Sequence, residues 1–104
     1  MKRLLNDITA AELKQRIENK ESIALLDVRE QLEYFTYNIG GDNLPLGNLL
    51  KGIDDLDYNK EEEIVVICQR GIRSETACKQ LTLAGFTKVR NLSGGLLAYR
   101  RIVE

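Results

Sequence analysis

The 104-residue chain contains no histidine and only two cysteines. Without histidine there is no Ser-His or Cys-His dyad, no His-based zinc site, and no imidazole to serve as the usual neutral-pH general base. Two cysteines without histidine also argue against a structural zinc site, and they fit a reducing compartment better than a disulfide framework. No apolar run approaches the roughly 20 residues needed to cross a bilayer. The first residues, Met1-Lys2-Arg3-Leu4-Leu5-Asn6-Asp7, begin basic but turn acidic before an apolar stretch forms, so they do not read as a signal peptide. The net charge of −1 supplies no global field toward nucleic acid or an anionic membrane. The expectation is a cytoplasmic protein with no nucleic-acid or membrane partner, no metal and no organic cofactor.

What is present is a globular composition, 43% hydrophobic and 30% charged. The length suits one domain, residues 1–104, around one core. No repeat, low-complexity segment or linker interrupts it. Thr9-Ala10-Ala11-Glu12 has capping-box spacing, and Leu13 and Ile17 follow at helical spacing, which predicts a helix from Ala10 to Asn19. Ile23 to Val28 is a short apolar run suited to a strand buried on both faces. Gln31 to Thr36 could form a short helix. Gly40-Gly41 breaks the chain, Asn43 to Gly47 reads as a short extended piece with a turn, and Asn48 to Ile53 as a helical turn or two. Ile64-Val65-Val66-Ile67 is the clearest strand and ends at Cys68. A loop over 69–73 leads to a helix from Ser74 to Ala84, with Gly85 at its C-terminal glycine position. Val89 to Leu92 is a further strand, and Ser93-Gly94-Gly95 turns into a last helix, Leu96 to Ile102. This alternation predicts an α/β fold with a short, mostly parallel central sheet and helices on both faces. Ligands in such sheets sit at the carboxyl ends of strands, where Cys68 lies.

The segment Cys68-Gln69-Arg70-Gly71-Ile72-Arg73-Ser74 is the candidate site. A cysteine ending a buried strand is more often a packing residue than a nucleophile. A glycine and two arginines within the next five residues, however, are not needed for packing. Loop amides and the N-terminus of the following helix can point at the sulfur, and Arg70 and Arg73 add formal charge. Such surroundings favour an ionised, nucleophilic sulfur near neutral pH. Gly71 lets the backbone curl without a Cβ clash. Cys78, one helix further on, reads as a packing residue, although a resolving role toward Cys68 is open. Glu61-Glu62-Glu63 reads as a solvated loop before a buried strand, and Arg100-Arg101 as an exposed face at a helix C-terminus.

At these residues the chain resembles the rhodanese-like family. Cys68 to Ser74 is similar to that family's active-site loop, Asp27-Val28-Arg29-Glu30 to its Asp-x-Arg segment, and Asn91 to Tyr99 to its C-terminal Gly-Gly segment, with tyrosine where tryptophan is frequent. The three segments fall in order and with matching spacing over almost the whole chain. The resemblance implies a sulfurtransferase in which Cys68 takes a sulfane sulfur from a donor as a persulfide, and a nucleophilic acceptor then removes the outer sulfur. This double displacement needs no histidine. It implies that Gln69, Arg70, Gly71, Ile72, Arg73 and Ser74 form the persulfide-stabilising loop. It also implies that Asp27 holds the loop through Arg73, with Arg29 supporting; the bland alternative for Asp27 and Arg29 is a surface salt bridge. The Cys-x4-Arg spacing matches the loop length associated with sulfur transfer, whereas related phosphatases use Cys-x5-Arg, so phosphatase or arsenate reductase chemistry ranks lower.

Tyr37-Asn38-Ile39-Gly40-Gly41-Asp42-Asn43-Leu44-Pro45-Leu46-Gly47 further resembles rhodanese domains fused behind the adenylylating enzymes of molybdopterin and thiamine biosynthesis. There the persulfide supplies sulfur to a ubiquitin-like carrier. The chain has no room for an adenylylating domain, so it reads as a free-standing relative or a fragment of a longer protein. The implied partners are a small-molecule or protein sulfur donor and acceptor, with a ubiquitin-like sulfur carrier or an adenylyltransferase as candidates. The sequence does not specify an oligomeric state, and a monomer is the default expectation. The more basic second half could steer an acidic donor or carrier tail. The alternative is a non-catalytic rhodanese-fold module for interaction or sulfide sensing.

Overall fold

A computed structural model describes residues 7–104; the reading of the preceding N-terminal residues lies outside them. The elements follow in the order β1 (Asp7–Ile8), α1 (Ala10–Glu18), β2 (Ala24–Asp27), α2 (Gln31–Thr36), β3 (Asp42–Asn43), α3 (Leu49–Gly52) between two single 3-10 turns, β4 (Glu63–Ile67), α4 (Ile72–Leu83), β5 (Lys88–Leu92) and α5 (Gly95–Val103). The strands form one sheet in the order β1-β5-β4-β2-β3. Every pairing among the described residues is parallel, so the expectation of a mostly parallel sheet is met in full.

The apolar run of β4 lies at the centre of this sheet and is buried on both faces, as its continuous hydrophobicity requires. Successive side chains point to opposite faces. Ile64 and Val66 join Cys68, Leu26, Leu49, Ala77, Leu81, Phe86 and Val89 on the face covered by α3 and α4. Val65 and Ile67 join Leu13, Leu25, Leu92, Leu96 and Tyr99 on the face covered by α1 and α5.

The helix termini depart from the sequence reading in three places. In α1, Thr9 caps through a hydrogen bond from the Glu12 amide at 3.0 Å, but the Glu12 carboxylate turns to Arg90 instead of closing a capping box. The box forms on α2, where the Glu33 side chain accepts from the Glu30 amide and Glu30 accepts from the Glu33 amide. Helix α4 starts at Ile72, two residues earlier than the expected Ser74, because Gly71 with φ of 91° turns the chain into the helix at once. Its other end is a Schellman closure: the Phe86 amide reaches the Leu81 carbonyl and the Gly85 amide reaches the Thr82 carbonyl.

The acidic run is not wholly solvated either. Glu63 is the first residue of β4 and binds Arg16 and Arg90. The two-residue strands β1 and β3 gave no pattern of their own. They form because the sheet edges beside β5 and β2 offer unpaired backbone groups.

Candidate active site at the end of β4

The parallel register brings the carboxyl ends of β2, β4 and β5 to one end of the sheet, with Asp27 beside Ile67 and Asn91 beside Val66. Cys68 leaves β4 there, 1% exposed. Its Sγ accepts a hydrogen bond from the Gly71 amide at 3.1 Å and from the Ser74 amide at 3.3 Å. The Ser74 amide belongs to the first turn of α4, so the sulfur occupies the place of an N-cap oxygen, at the positive end of the helix dipole. The Ser74 hydroxyl lies 3.3 Å from Sγ. Two fixed amides and a helix N-terminus make this a seat for negative charge on sulfur. Gln69 is half-buried, while Arg70 and Ile72 are exposed on the outer side of the turn.

The turn is held from behind by the start of α5. The Leu96 amide donates to the Cys68 carbonyl at 2.9 Å and the Leu97 amide to the Gln69 carbonyl at 3.0 Å. This approach explains the Gly94-Gly95 pair. A Cβ on Gly95, whose φ is +64°, would sit 2.4 Å from the Gln69 carbonyl oxygen.

Arg73 does not meet Asp27, contrary to the sequence reading. Its guanidinium makes a two-pronged bond to Glu33 of α2 at 2.6 and 2.9 Å. Helix α2 thus brings a carboxylate to the first turn of α4. The Arg73 guanidinium holds the Glu33 carboxyl well below its ordinary range, at about 2, and Glu33 raises Arg73 in return. Asp27 pairs instead with Arg29: Oδ2 accepts from Nη2 at 2.8 Å and Oδ1 from the Arg29 amide at 3.0 Å. Arg29 Nη2 also donates to the Tyr37 carbonyl at 2.6 Å. The pair is almost fully buried, 1% and 3% exposed, and so is not the surface salt bridge of the alternative reading. It fixes the chain leaving β2, which Asn43 ties further through the Asp27 and Arg29 carbonyls.

A cavity of about 720 Å3 opens beside the turn, lined by Arg29, Glu30, Leu32, Glu33, Thr36, Tyr37, Gln69 and Arg100. Arg100 lies 4.2 Å above the Tyr37 ring and binds Glu104, so it belongs to the cavity wall as well as to an exposed helix face. Cys78 is buried in the core with Cys68, as a packing residue would be.

Two residues here escaped the sequence reading. Glu33 looked like one more helix-surface carboxylate. Asn91 was seen only as the start of the Gly-Gly segment. It is buried, its Nδ2 donates to the Gly71 carbonyl at 3.1 Å, and its Oδ1 accepts from the Ser74 hydroxyl. An asparagine, a residue disfavoured in strands, set between Val89 and Leu92 just before the Gly-Gly turn was the available signal.

The sequence profile of the rhodanese-like domain matches residues 9–101. Among individual proteins, the chain is 36% identical over 96 residues to the putative sulfurtransferase YtwF of Bacillus subtilis, covering 91% of this chain and 90% of that one. It is 38% identical over 91 residues to the putative sulfur carrier protein YrkF of the same organism, covering 86% of this chain but only 48% of the relative. The chain thus spans about half of YrkF. It is 30% identical over 98 residues to the probable adenylyltransferase/sulfurtransferase MoeZ of Mycobacterium tuberculosis, covering 93% of this chain and 25% of that protein. Among solved structures, a rhodanese-like domain from Anabaena superposes with a TM-score of 0.85 at 29% identity, covering 93% of this chain and 74% of that one.

Proposed function

Because the chain belongs to the rhodanese-like domain family, with relatives named as sulfurtransferases, we propose that it moves a sulfane sulfur through a persulfide on Cys68. The observation that carries this reading is the seat of Cys68 Sγ, bonded by the Gly71 and Ser74 amides at the start of α4.

In the forward half-reaction the Cys68 thiolate attacks the outer sulfur of a donor such as thiosulfate. The S–S bond of the donor breaks, sulfite leaves with the bonding pair, and Cys68 is left as a persulfide. In the return half-reaction an acceptor nucleophile takes the outer sulfur, and the bonding pair returns to Cys68 as thiolate. Negative charge rests on Cys68 Sγ before and after the cycle. The two amides and the α4 dipole stabilise it without reorganising. No proton has to be relayed by a general base, which accords with a chain that has no histidine.

The engagement of Arg73 supports sulfur over phosphate as cargo. The Nη1–Nη2 edge of the guanidinium, one of those that could grip a tetrahedral oxyanion, is bound to Glu33. Likeness to a sulfur carrier protein and to an adenylyltransferase/sulfurtransferase suggests a protein as the acceptor in the cell. The exposed Leu32, Phe35 and Ile72 on α2 and the start of α4 suit such a partner. The cytoplasm, where a reactive thiol stays reduced between turnovers, is the compartment proposed.

The test is intact mass after thiosulfate treatment. The expected result is a gain of one sulfur atom, removed by cyanide and absent in Cys68→Ser. No gain, or an equal gain in Cys68→Ser, would leave a non-catalytic module as the better reading. Hydrolysis of p-nitrophenyl phosphate would favour phosphatase chemistry.

A further inference from the structure

The hydroxyl nearest the reacting sulfur has two claimants. Ser74 Oγ lies 3.3 Å from Cys68 Sγ, and it also donates to Asn91 Oδ1. The direction of the Asn91 amide is set by its other end, because Nδ2 donates to the Gly71 carbonyl at 3.1 Å. Oδ1 must therefore face Ser74. A serine hydroxyl has one proton. With that proton committed to Asn91, the oxygen turns its lone pairs to Cys68, where it can accept from the neutral S–H. When the sulfur ionises, those lone pairs face an anion unless the hydroxyl leaves Asn91.

We propose that Asn91 is a positioning residue that competes with the Cys68 thiolate for the Ser74 proton and so raises the pH at which the sulfur loses its proton to solvent. The Gly71 and Ser74 amides stabilise the anion in every state, because backbone donors cannot turn away. The hydroxyl is the adjustable part of the seat. Ser74 is fully buried, and Asn91 is 6% exposed. The charged groups on the surrounding elements are Arg70 in the turn, Arg73 and Glu75 on α4, Glu33 on α2, Asp27 ending β2 with Arg29 just after it, and Asp7, the strand neighbour of Asn91; the Cys78 thiol on α4 is the other titratable group in the same core. The Asn91 substitutions below change none of these charges.

The proposal rests on Cys68 being the reactive sulfur, but its test needs no sulfur donor. The pH profile of iodoacetamide alkylation at Cys68 is followed by peptide mass. Asn91→Leu removes the competing carbonyl while keeping the volume, and Asn91→Ala is the second variant. The midpoint is expected to fall by about one pH unit, a tenfold change in the ionised fraction at a given pH. Mere loosening of the turn predicts the opposite sign, because it would weaken the amide bonds to the anion. In the Ser74→Ala background, removing Asn91 is expected to shift the midpoint no further. A midpoint that rises or stays put in both Asn91 variants overturns the proposal, and so does a shift of equal size in the Ser74→Ala background. If the alkylation result holds and thiosulfate adds no sulfur, the proton competition stands and the sulfur-transfer reading fails.

Discussion

Gly95→Ala tests whether the start of α5 sets the shape of the sulfur seat. At φ of +64° an alanine pays the left-handed penalty, about 1–2 kcal/mol. The added Cβ would also lie 2.4 Å from the Gln69 carbonyl oxygen and 2.6 Å from the Arg70 amide nitrogen, both of them backbone. That is about 1 Å inside ordinary contact, so either α5 or the turn must move by that much. Moving α5 breaks the Leu96 and Leu97 amide bonds to the Cys68 and Gln69 carbonyls, each worth about 1 kcal/mol. Moving the turn carries the Gly71 and Ser74 amides from 3.1 and 3.3 Å beyond bonding distance of Sγ. The expected loss of stability is about 2–4 kcal/mol, out of a total of about 5–15 kcal/mol for a domain of this size. Urea denaturation measures it. The proposed sulfur transfer, assayed from thiosulfate to cyanide, is expected to fall about a hundredfold, a loss that a 1 Å misplacement can bring. A variant within about 1 kcal/mol of the parent and within threefold of its activity would refute the reasoning, because the close approach would then not constrain the turn.

Removing one partner of the buried Asp27–Arg29 pair should cost more than removing both. Arg29→Met, which strands a buried carboxylate, is expected to lose about 3–5 kcal/mol in urea denaturation, with much of it restored in Asp27→Asn/Arg29→Met; equal losses in the single and double variants would contradict this. Glu33 is held at about 2 in the folded state by Arg73, against 4.5 as its ordinary value. A carboxylate lowered on folding contributes stability that is complete above its ordinary value and is lost as pH falls through the folded one. In Glu33→Gln the decline of stability between pH 4.5 and 2 should therefore be shallower than in the parent, as read by urea midpoints at each pH. An unchanged slope would mean that the Arg73 contact is not maintained in solution.

Much of the fold was legible from periodicity and punctuation. The continuous apolar run Ile64 to Ile67 announced a strand buried on both faces, and the glycine at 85 announced the end of α4. These are local signals, because a residue's own φ preference and the spacing of apolar side chains need no distant partner. The edge strands β1 and β3 were not legible, because two residues carry no period and pair only when a neighbouring strand presents its backbone.

The candidate site divides the same way. The order Cys68-Gln69-Arg70-Gly71-Ile72-Arg73-Ser74 by itself determined that a thiol would end a strand and meet amides at a helix start, because the whole turn is contiguous. Which carboxylate Arg73 would take was a matter of packing. Asp27 belongs to the motif, but Glu33 of α2 reaches Arg73 in the fold, and Asp27 pairs with Arg29. Only the tertiary structure, too, brought Asn91 of β5 within reach of Ser74 and Gly71. Contacts across 17 and 40 residues of sequence are set by how elements pack. A side chain's identity states what it can bond, and the fold decides which bond it makes.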